Sequence, residues 1–167
     1  LGRLVPEKGL MYLINSFKNV NTKHKLVIAG GSSDTDEYTA EVKKAAMNDS
    51  RICFIGFVQG DILQELYSNA YVYVLPSDVE GMPLSLLEAM SYGNCCLVSD
   101  IKEITEVVGN RAVIFQKGNV TMLTEKLQYL CDSEKEVNRY KLQAADFICE
   151  KYNWDFVVNE TLSVYLK

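Results

Sequence analysis

Short apolar runs alternate with amphipathic segments along almost the whole chain, and this alternation restricts the fold more than any other feature. The runs are four or five residues long, are rich in β-branched and aromatic residues, and end at turn-forming residues; they occupy positions 25–29, 51–55, 71–75, 95–98 and 112–115. Uninterrupted apolarity is typical of strands that are covered on both faces. Strands that alternate with helices predict βαβ units and therefore a parallel sheet.

Between and after these runs, apolar residues recur at helical spacing. We predict one helix after Gly9, one over 37–47, one with Asp61 as its N-cap, one after Pro83 and one after 119–121. The tail 133–167 is also predicted to be helical, with a break near Asn153. Right-handed crossovers then favour an α/β, Rossmann-like, doubly wound parallel sheet with helices on both faces and a helical C-terminal tail. We expect a sixth strand near Leu1.

The composition restricts the class of protein. The chain has 167 residues, of which 48% are hydrophobic and 23% charged, and its formal net charge is −5. We expect one domain over residues 1–167, and the abrupt start without Met indicates a fragment of a longer protein. The acidic balance excludes a broad basic surface for nucleic acid. No apolar run reaches the ~20 residues of a transmembrane segment.

The five cysteines and the single histidine show no spacing typical of a zinc site or of a disulfide framework. We therefore predict no metal site, and we interpret the cysteines as small buried side chains in a reducing compartment.

A parallel sheet binds ligands where the carboxyl ends of its strands lead into helices. The segment from Gly2 to Gly9 contains Arg3 and Lys8 in one turn-forming stretch before a predicted helix. An arginine can bind a phosphate bidentately and a lysine adds a compact positive charge, so the two residues suit a diphosphate. A pair of solvated surface cations is the alternative.

A second loop joins the run at 71–75 to the helix after Pro83. We expect Gly81 to permit the turn and Pro83 to be the first helical residue, where its missing N–H costs little. The free amides around Leu84 and Ser85 would then form a helix N-terminus that is open to an anion.

Glu80 and Glu88 lie on either side of this predicted anion site. Glu88 follows Ser85 by three residues and helical side chains lean towards the N-terminus, so we expect Glu88 at the same mouth. Two carboxylates would repel a phosphate, whereas they can accept hydrogen bonds from the hydroxyls of a sugar and of a ribose on either side of it. A loop carboxylate and a solvated helical residue are the alternative.

These residues, in this order, resemble the donor-binding half of the group 1 (family 4) glycosyltransferases. The resemblance extends from residue 2 to about residue 115 and rests on Gly2-Arg3-Leu4, Lys8-Gly9, Pro76-Ser77, the segment from Glu80 to Met90, Gly93 and Val98-Ser99-Asp100. The two carboxylates match the E-x7-E motif of that family. The resemblance implies the C-terminal domain of a GT-B enzyme, with an acceptor-binding N-terminal domain outside this chain.

The resemblance also implies roles for single residues. Arg3 and Lys8 would bind the pyrophosphate of the donor, Glu80 would contact the transferred sugar, and these three would carry catalysis. Glu88 would accept hydrogen bonds from the ribose. Further contacts with the donor would come from three segments. The first contains Gly81, Met82, Pro83, Leu84 and Ser85. The second contains Gly56, Phe57 and Val58 and would lie beside the nucleobase, and the third contains Gly30 and Gly31.

The function that the resemblance implies is a retaining, metal-independent hexosyltransferase of glycan or polysaccharide biosynthesis. Its substrate would be a nucleotide-diphosphate sugar of UDP or GDP type, with no cofactor. A glycan or lipid-linked acceptor would be held by the N-terminal domain, so this chain alone is expected to be inactive. The implied location is the cytoplasm, or the cytoplasmic face of the membrane.

Two other functions stay open at this point. One is a non-catalytic nucleotide-sugar-binding or scaffolding module of the same fold. The other is a Rossmann enzyme that uses NAD or a methyl donor, against which the missing G-x-G-x-x-G pattern counts.

Two further features of the sequence receive a structural interpretation. The triplet Asp34-Thr35-Asp36 resembles the metal-binding D-x-D of other glycosyltransferases, but we interpret it as a helix start, where acidic residues are favoured. Trp154 in the tail is expected to be a packing anchor.

Overall fold

The computed structural model describes residues 1–31 and 36–166 of the chain. Helices and strands alternate in the order α1 Leu10–Phe17, β1 Leu26–Ala29, α2 Asp36–Ala46, β2 Ile52–Gly56, α3 Asp61–Ser68, β3 Tyr73–Leu75, α4 Leu84–Ser91, β4 Cys96–Ser99, α5 Lys102–Val108, β5 Val113–Phe115, α6 Val120–Asp132, α7 Glu134–Lys151 and α8 Trp154–Tyr165. A 3-10 turn, Pro6–Lys8, precedes α1. Each of the five predicted strands forms and overlaps its apolar run.

The strands form two parallel sheets. β1 pairs with β2, with Leu26 opposite Ile52, and β4 lies between β3 and β5, with Leu97 opposite Val113. Within the described residues, β1 and β3 share no hydrogen-bonded ladder. The sequence predicts one continuous sheet, whereas in the structure the hydrogen-bonded ladder is interrupted between β1 and β3.

A cavity of about 470 Å³ lies between β1 and β3. Leu26 and Tyr73 are among the side chains that line it, and residues 1–4 contribute to its wall. The same residues run beside β1, because the Gly2 N–H donates to the Ala29 carbonyl over 3.0 Å and the Leu4 N–H donates to the Gly31 carbonyl over 2.9 Å. Residues 1–4 are not assigned to a strand, so the sixth strand near Leu1 stays a prediction.

β4 illustrates how helices cover both faces of a sheet. All four of its residues are buried. Cys96 and Val98 belong to a core formed with α4, α5 and α7, while Leu97 points to the other face and packs with Leu13 of α1 and Leu127 of α6. The predicted α/β arrangement with helices on both faces is therefore confirmed, and it explains why this run carries no polar alternation.

β2 departs from this pattern. It is an edge strand, its first three residues are only half buried, and Ile55 is exposed. The expectation that every apolar run is covered on both faces is wrong here. Ile52 and Phe54 pack against a core cluster on one face, whereas Cys53 and Ile55 belong to no core cluster of the described residues.

The starts of two helices differ from prediction by one residue. Gly60 is the N-cap of α3, and Asp61 is its first helical residue. Pro83 is the N-cap of α4 rather than its first residue, and the helix begins at Leu84. Helix α5 was not predicted, since its seven residues give too short an apolar pattern.

The tail is helical, as predicted, and the break falls at residues 152–153. The Asn153 side chain caps α8 by accepting a hydrogen bond from the Asp155 N–H over 2.8 Å. Trp154 is 79% exposed, so the expectation of a packing anchor is wrong. The described residues of α8 are all exposed, because the helix projects beyond the core clusters. Among the described residues, no helix combines the length and apolarity needed to span a bilayer.

The cysteines occupy three different environments. Cys95 and Cys96 are buried, as expected, whereas Cys53 and Cys131 are half buried and Cys149 is exposed. Burial raises the pKa of the Cys95 thiol to about 12. The expectation of buried cysteines therefore holds for only two of the five.

Candidate functional site

Gly9 brings the loop before α1 against the carboxyl end of β3. Its φ is 64°, and a Cβ atom at this position would lie 2.0 Å from the carbonyl oxygen of Pro76. Only glycine tolerates both the left-handed backbone and this close approach. The Asp78 N–H also donates to the Glu7 carbonyl over 2.7 Å. Residues 7–9 and 76–78 are therefore held side by side.

This contact brings Lys8 to Glu80. The Lys8 ammonium donates a hydrogen bond to Glu80 Oε1 over 2.7 Å, and the side chains are 23% and 7% exposed. The Ser77 hydroxyl donates to the same oxygen, also over 2.7 Å. Glu80 Oε2 has no hydrogen-bond partner in the described part of the chain. The second oxygen of a largely buried carboxylate is thus available as an acceptor.

Tyr12 supports the same loop from α1. Its hydroxyl donates to Asp78 Oδ2 over 2.8 Å, and this hydrogen bond raises the pKa of Tyr12. Neither Tyr12 nor Ser77 was assigned a role from sequence. The Pro76-Ser77 pattern offered a signal for Ser77, whereas Tyr12 is recognisable only once α1 and the β3 loop are known to meet.

Arg3 lies at the same edge of the molecule as Lys8. Both residues are among those that line the cavity between β1 and β3, and a Cβ atom on Gly2 would lie 3.8 Å from Lys8 Cε. Arg3 is exposed and forms no ion pair within residues 1–31 and 36–166. The guanidinium can therefore engage an anion without first giving up a carboxylate partner.

The loops after β1 and β2 meet the N-terminal segment at this edge. The Gly30 N–H donates to the Gly56 carbonyl over 2.7 Å. Gly30 has a φ of 144°, and a Cβ atom there would lie 1.7 Å from the Gly2 carbonyl oxygen. Gly31 accepts the hydrogen bond from Leu4 described above. The predicted contacts Gly30, Gly31 and Gly56 are thus next to the segment that carries Arg3.

After Gly56 the chain continues as an exposed loop towards α3. Phe57 is exposed and Val58 is half buried. The assignment of Phe57 to a nucleobase stays a prediction.

The N-terminus of α4 is less open than the sequence predicts. The Leu84 N–H donates to the Met82 carbonyl over 2.9 Å, and the Leu86 and Leu87 amides donate to the Pro83 carbonyl. The Ser85 N–H has no acceptor outside its own helix among the described residues. The expectation of a free Leu84 amide is therefore wrong, because a three-residue turn centred on Pro83 directs this amide to the Met82 carbonyl.

Gly81 does not have the role predicted for it in the turn. Its φ lies outside the left-handed region, and a Cβ atom there would meet nothing within 4 Å. Other residues could adopt this backbone without strain. Met82 and Leu84 are exposed beside it, whereas Pro83 is buried.

Two tyrosine side chains donate hydrogen bonds to side chains in the first turns of α4. The Tyr73 hydroxyl donates to Ser85 Oγ over 2.9 Å, and the Tyr67 hydroxyl donates to Glu88 Oε2 over 2.8 Å. Glu88 itself is exposed, at the end of this row of side chains. Sequence reasoning did not assign a role to either tyrosine.

The site as a whole combines charges of both signs at the carboxyl ends of parallel strands. Lys8 and Arg3 are cationic, Ser85 lies at a helix N-terminus, and Glu80 and Glu88 offer carboxylate oxygens. Cations and helix N-termini attract anions, and carboxylates accept hydrogen bonds from hydroxyls. Such a set can bind an anion that also carries hydroxyl groups.

Within the described residues, no cluster of three or more His, Cys, Asp or Glu side chains could hold a metal ion. Of the D-x-D triplet, Asp34 and Thr35 lie outside the described residues, and Asp36 is described only as the first residue of α2.

Comparisons with known proteins agree with this fold. The sequence model of the family described as "Glycosyl transferases group 1" matches residues 1–147. An uncharacterized glycosyltransferase of Methanocaldococcus jannaschii is 34% identical over 99% of this chain and 43% of its own length. Alpha-maltose-1-phosphate synthase of Mycobacterium tuberculosis is 26% identical over 100% of this chain and 46% of its own length. The chain therefore spans less than half the length of these relatives.

Solved structures show the same architecture. HepE of Anabaena, crystallised in complex with UDP and glucose, superposes with a TM-score of 0.88 at 18% identity, over 98% of this chain and 47% of HepE. Sucrose-phosphate synthase of Thermosynechococcus elongatus has a TM-score of 0.84 at 20% identity, over 98% of this chain and 44% of its own. At these identities the likeness shows the fold, and it confirms the expected GT-B type.

Proposed function

The chain belongs to the group 1 glycosyltransferases, and we propose that it is the donor-binding domain of a retaining, metal-independent hexosyltransferase. Its ligand is a nucleotide-diphosphate sugar, bound where the loops after β1, β2 and β3 meet the N-terminus of α4. The transferred sugar lies at Glu80 and the ribose lies at Glu88, with the diphosphate between them.

The observation that carries the proposal is the contact between Lys8 and Glu80. An ammonium has three protons to donate, and Lys8 uses one of them on Glu80 Oε1. The others are available to phosphate oxygens. Glu80 Oε2 can then accept a hydrogen bond from a sugar hydroxyl while Lys8 holds the adjoining phosphate.

Catalysis on this site rests on charge. When the bond between sugar and phosphate breaks, negative charge develops on the departing nucleotide diphosphate. Cations that are already in position stabilise this charge without reorganisation. Arg3 and Lys8 fit this role, and Ser77 fits a supporting role because its hydroxyl fixes the carboxylate to which Lys8 is bound. These two cations are the basis for the metal-independent part of the proposal.

The remaining donor contacts follow from position. Gly81, Met82 and Ser85 are open to the sugar and the phosphates, since Gly81 has free space around it and Met82 is exposed. Gly30 and Gly31 border the diphosphate, while Gly56, Phe57 and Val58 face the nucleobase. Leu84 contributes its exposed side chain, and Pro83 holds the loop.

The acceptor is proposed to be a glycan or a lipid-linked glycan. It would be held by an N-terminal domain of the longer protein, since the curated relatives are more than twice as long as the part this chain matches. Transfer then needs both domains, and this chain alone binds the donor without transferring its sugar. The protein would act in the cytoplasm or at the cytoplasmic face of the membrane.

The binding part is tested by titrating the chain with UDP-, GDP- and ADP-sugars and following its amide signals by NMR. We expect shifts at Arg3, Lys8, Ser85 and Glu88 with at least one donor, and no shifts there with the free sugar. The matched control is the surface cation Lys102, whose signals should stay in place. Absence of shifts with all three donors would refute donor binding.

The catalytic part is tested in the full-length protein with Glu80→Gln. This variant keeps the size of the side chain but removes the charge beside Lys8. We expect sugar transfer to fall about 100-fold, because the carboxylate contacts both the cation and the sugar. A full-length protein that binds donors but transfers no sugar before mutation would be a non-catalytic module instead.

A further inference from the structure

Two buried tyrosines aim their hydroxyls at α4, and one of them reaches Glu88. Tyr67 comes from the last turn of α3 and is 4% exposed, whereas Glu88 on α4 is exposed. The Tyr67 hydroxyl donates to Glu88 Oε2 over 2.8 Å and lies 3.3 Å from the Ser85 carbonyl oxygen. A buried phenol thus contacts an exposed carboxylate from the core side.

Tyr67 is itself held firmly. The Asn94 side-chain amide donates to the Tyr67 carbonyl over 2.9 Å and to the Ala89 carbonyl over 3.0 Å, and Asn94 is only 2% exposed. The Tyr67 ring stacks on Tyr92 with centroids 5.4 Å apart and also meets Tyr73 at 6.1 Å. Its hydroxyl therefore has a fixed position relative to α4.

The surroundings of Tyr67 favour the protonated form of its phenol. Burial is the main cause that raises the pKa of Tyr67, and the hydrogen bond to Glu88 adds to it. Tyr67 is consequently a donor, and Glu88 an acceptor. One carboxylate oxygen is engaged with Tyr67, and Glu88 Oε1 accepts no hydrogen bond from the residues that the structure describes, so it is open to another donor.

We propose that Tyr67 is a positioning residue that holds the Glu88 carboxylate in the orientation needed to bind the ribose hydroxyls of the donor. The inference rests on the proposed function. An exposed glutamate samples several rotamers, and ordering such a side chain on binding weakens affinity. The hydrogen bond from Tyr67 orders Glu88 in advance, so that the ribose gains the contact without this loss.

The test compares ribose with a sugar that lacks both hydroxyls. UDP, GDP and ADP and their 2′,3′-dideoxy analogues are titrated calorimetrically into the wild-type chain and into Tyr67→Phe. The wild-type chain should prefer the ribose form of the nucleotide that it binds. Tyr67→Phe should lower this preference about fivefold to tenfold, since fixing one such side chain is worth about that factor. Affinity for the dideoxy analogue should not change.

Tyr73→Phe is the matched control. It removes the same hydroxyl from a neighbouring buried tyrosine, but that hydroxyl contacts Ser85 and not Glu88. The preference for ribose should stay at the wild-type value. Glu88→Ala should abolish the preference, and adding Tyr67→Phe to Glu88→Ala should change nothing more.

Different results would refute the positioning role of Tyr67 and the proposed function. A wild-type chain that binds none of the three nucleotides refutes the proposed function itself. A wild-type preference for ribose that survives Tyr67→Phe, or an equal loss for both forms, refutes the positioning role alone.

A second measurement covers the case in which Tyr67→Phe does not fold. In the wild-type chain labelled at tyrosine ¹³Cζ, the Tyr67 signal should shift on binding the ribose nucleotide and stay in place with its dideoxy analogue. Equal shifts with both ligands, or none, would contradict the inference.

Discussion

The Lys8 ammonium lies 2.7 Å from Glu80 Oε1, although the two residues are 72 positions apart in the chain. The contact exists because Gly9 allows the loop before α1 to press against the loop after β3. The proposed contact of Lys8 with the diphosphate depends on this juxtaposition. The first two predictions therefore test Lys8 and Gly9.

Replacing Lys8 with Met should weaken binding of a nucleoside diphosphate about 10- to 100-fold, the range expected for hydrogen bonds to a charged group. Binding of the corresponding nucleoside should change little, because it has no phosphate. Isothermal titration calorimetry measures both. Lys102→Met is the control, since Lys102 is an exposed cation paired with Glu106 on α5. Equal losses in the two variants would argue against a specific phosphate contact at Lys8.

Gly9→Ala should destabilise the fold more than Gly118→Ala. Both glycines have left-handed backbones, with φ of 64° and 72°, so each substitution carries a similar backbone strain. At Gly118 a Cβ atom meets nothing within 4 Å, whereas at Gly9 it collides with Pro76. We expect an additional loss of about 1–3 kcal/mol in the free energy of unfolding, as overpacking typically costs. Urea unfolding measures it, and equal losses would show that the two loops do not need this close approach.

Gly81→Ala should weaken binding of the nucleotide sugar without changing the stability of the fold. The added Cβ atom meets no protein atom and the backbone is unstrained, so the free energy of unfolding should stay within about 0.5 kcal/mol of wild type. If the donor sugar packs against Gly81, affinity for the nucleotide sugar should fall severalfold while affinity for the nucleoside diphosphate is retained. Losses of equal size for both ligands would place the sugar elsewhere.

Asp49 should contribute to stability in a pH-dependent way. Arg51 donates two hydrogen bonds from its side chain to the Asp49 carboxylate and also contacts the Val20 carbonyl, and the bonds to Asp49 lower the pKa of that carboxyl. Because its pKa is lower in the folded state, Asp49 stabilises the fold at pH values above its pKa in the unfolded chain, which is about 3.9. This contribution is lost as the pH falls through the pKa of the folded state.

Asp49→Asn should therefore cost about 1–2 kcal/mol near pH 7 and progressively less below about pH 4. Unfolding by urea at several pH values measures the difference. Glu136→Gln provides the comparison, because its partner Arg139 is a half-exposed surface residue and such pairs contribute about 0–1 kcal/mol. A difference for Asp49→Asn that stays constant from pH 7 to pH 2 would contradict the assignment.

The thiols should differ in reactivity in the order of their exposure. Cys149 is exposed on α7 and should react with a thiol reagent at pH 8 within minutes. Cys95 and Cys96 should react only after unfolding, because burial both blocks access and raises the pKa of each thiol. Peptide mass spectrometry identifies the labelled sites. Cys149→Ser should remove the fastest phase, and a fast reaction at Cys96 in the native chain would contradict the buried position of β4.

The elements that were predicted from sequence are those whose signal is local. The run at 95–98 reads as a buried strand because each of its residues must be apolar to pack on one face or the other of β4. The cap residue of α4 was missed by one position, since Pro is accepted both at the N-cap and in the first turn. Helix α5 was missed because seven residues hold too few apolar repeats.

The residues of the candidate site likewise differ in whether a local sequence signal identifies them. Arg3, Lys8, Glu80 and Glu88 could be selected from sequence. Arg3 and Lys8 lie in a turn-forming segment before a predicted helix, Glu80 lies in the loop after an apolar run, and helical spacing places Glu88 near the start of the next helix. Their supporting side chains could not. Tyr12 and Tyr67 differ in no local property from tyrosines that have no such role, and only the Pro76-Ser77 pattern offered a signal for Ser77.

The order of the strands and of every helix except α5, and the edge at which charged side chains gather, follow from the sequence alone, because burial on both faces leaves an uninterrupted apolar pattern that is readable locally. The tertiary structure alone decided that the sheet is divided between β1 and β3, that Lys8 is paired with Glu80, and that Tyr67 contacts Glu88. These contacts depend on how far one element is displaced against another. That displacement is set by the packing of many side chains at once, which no short segment of the sequence encodes.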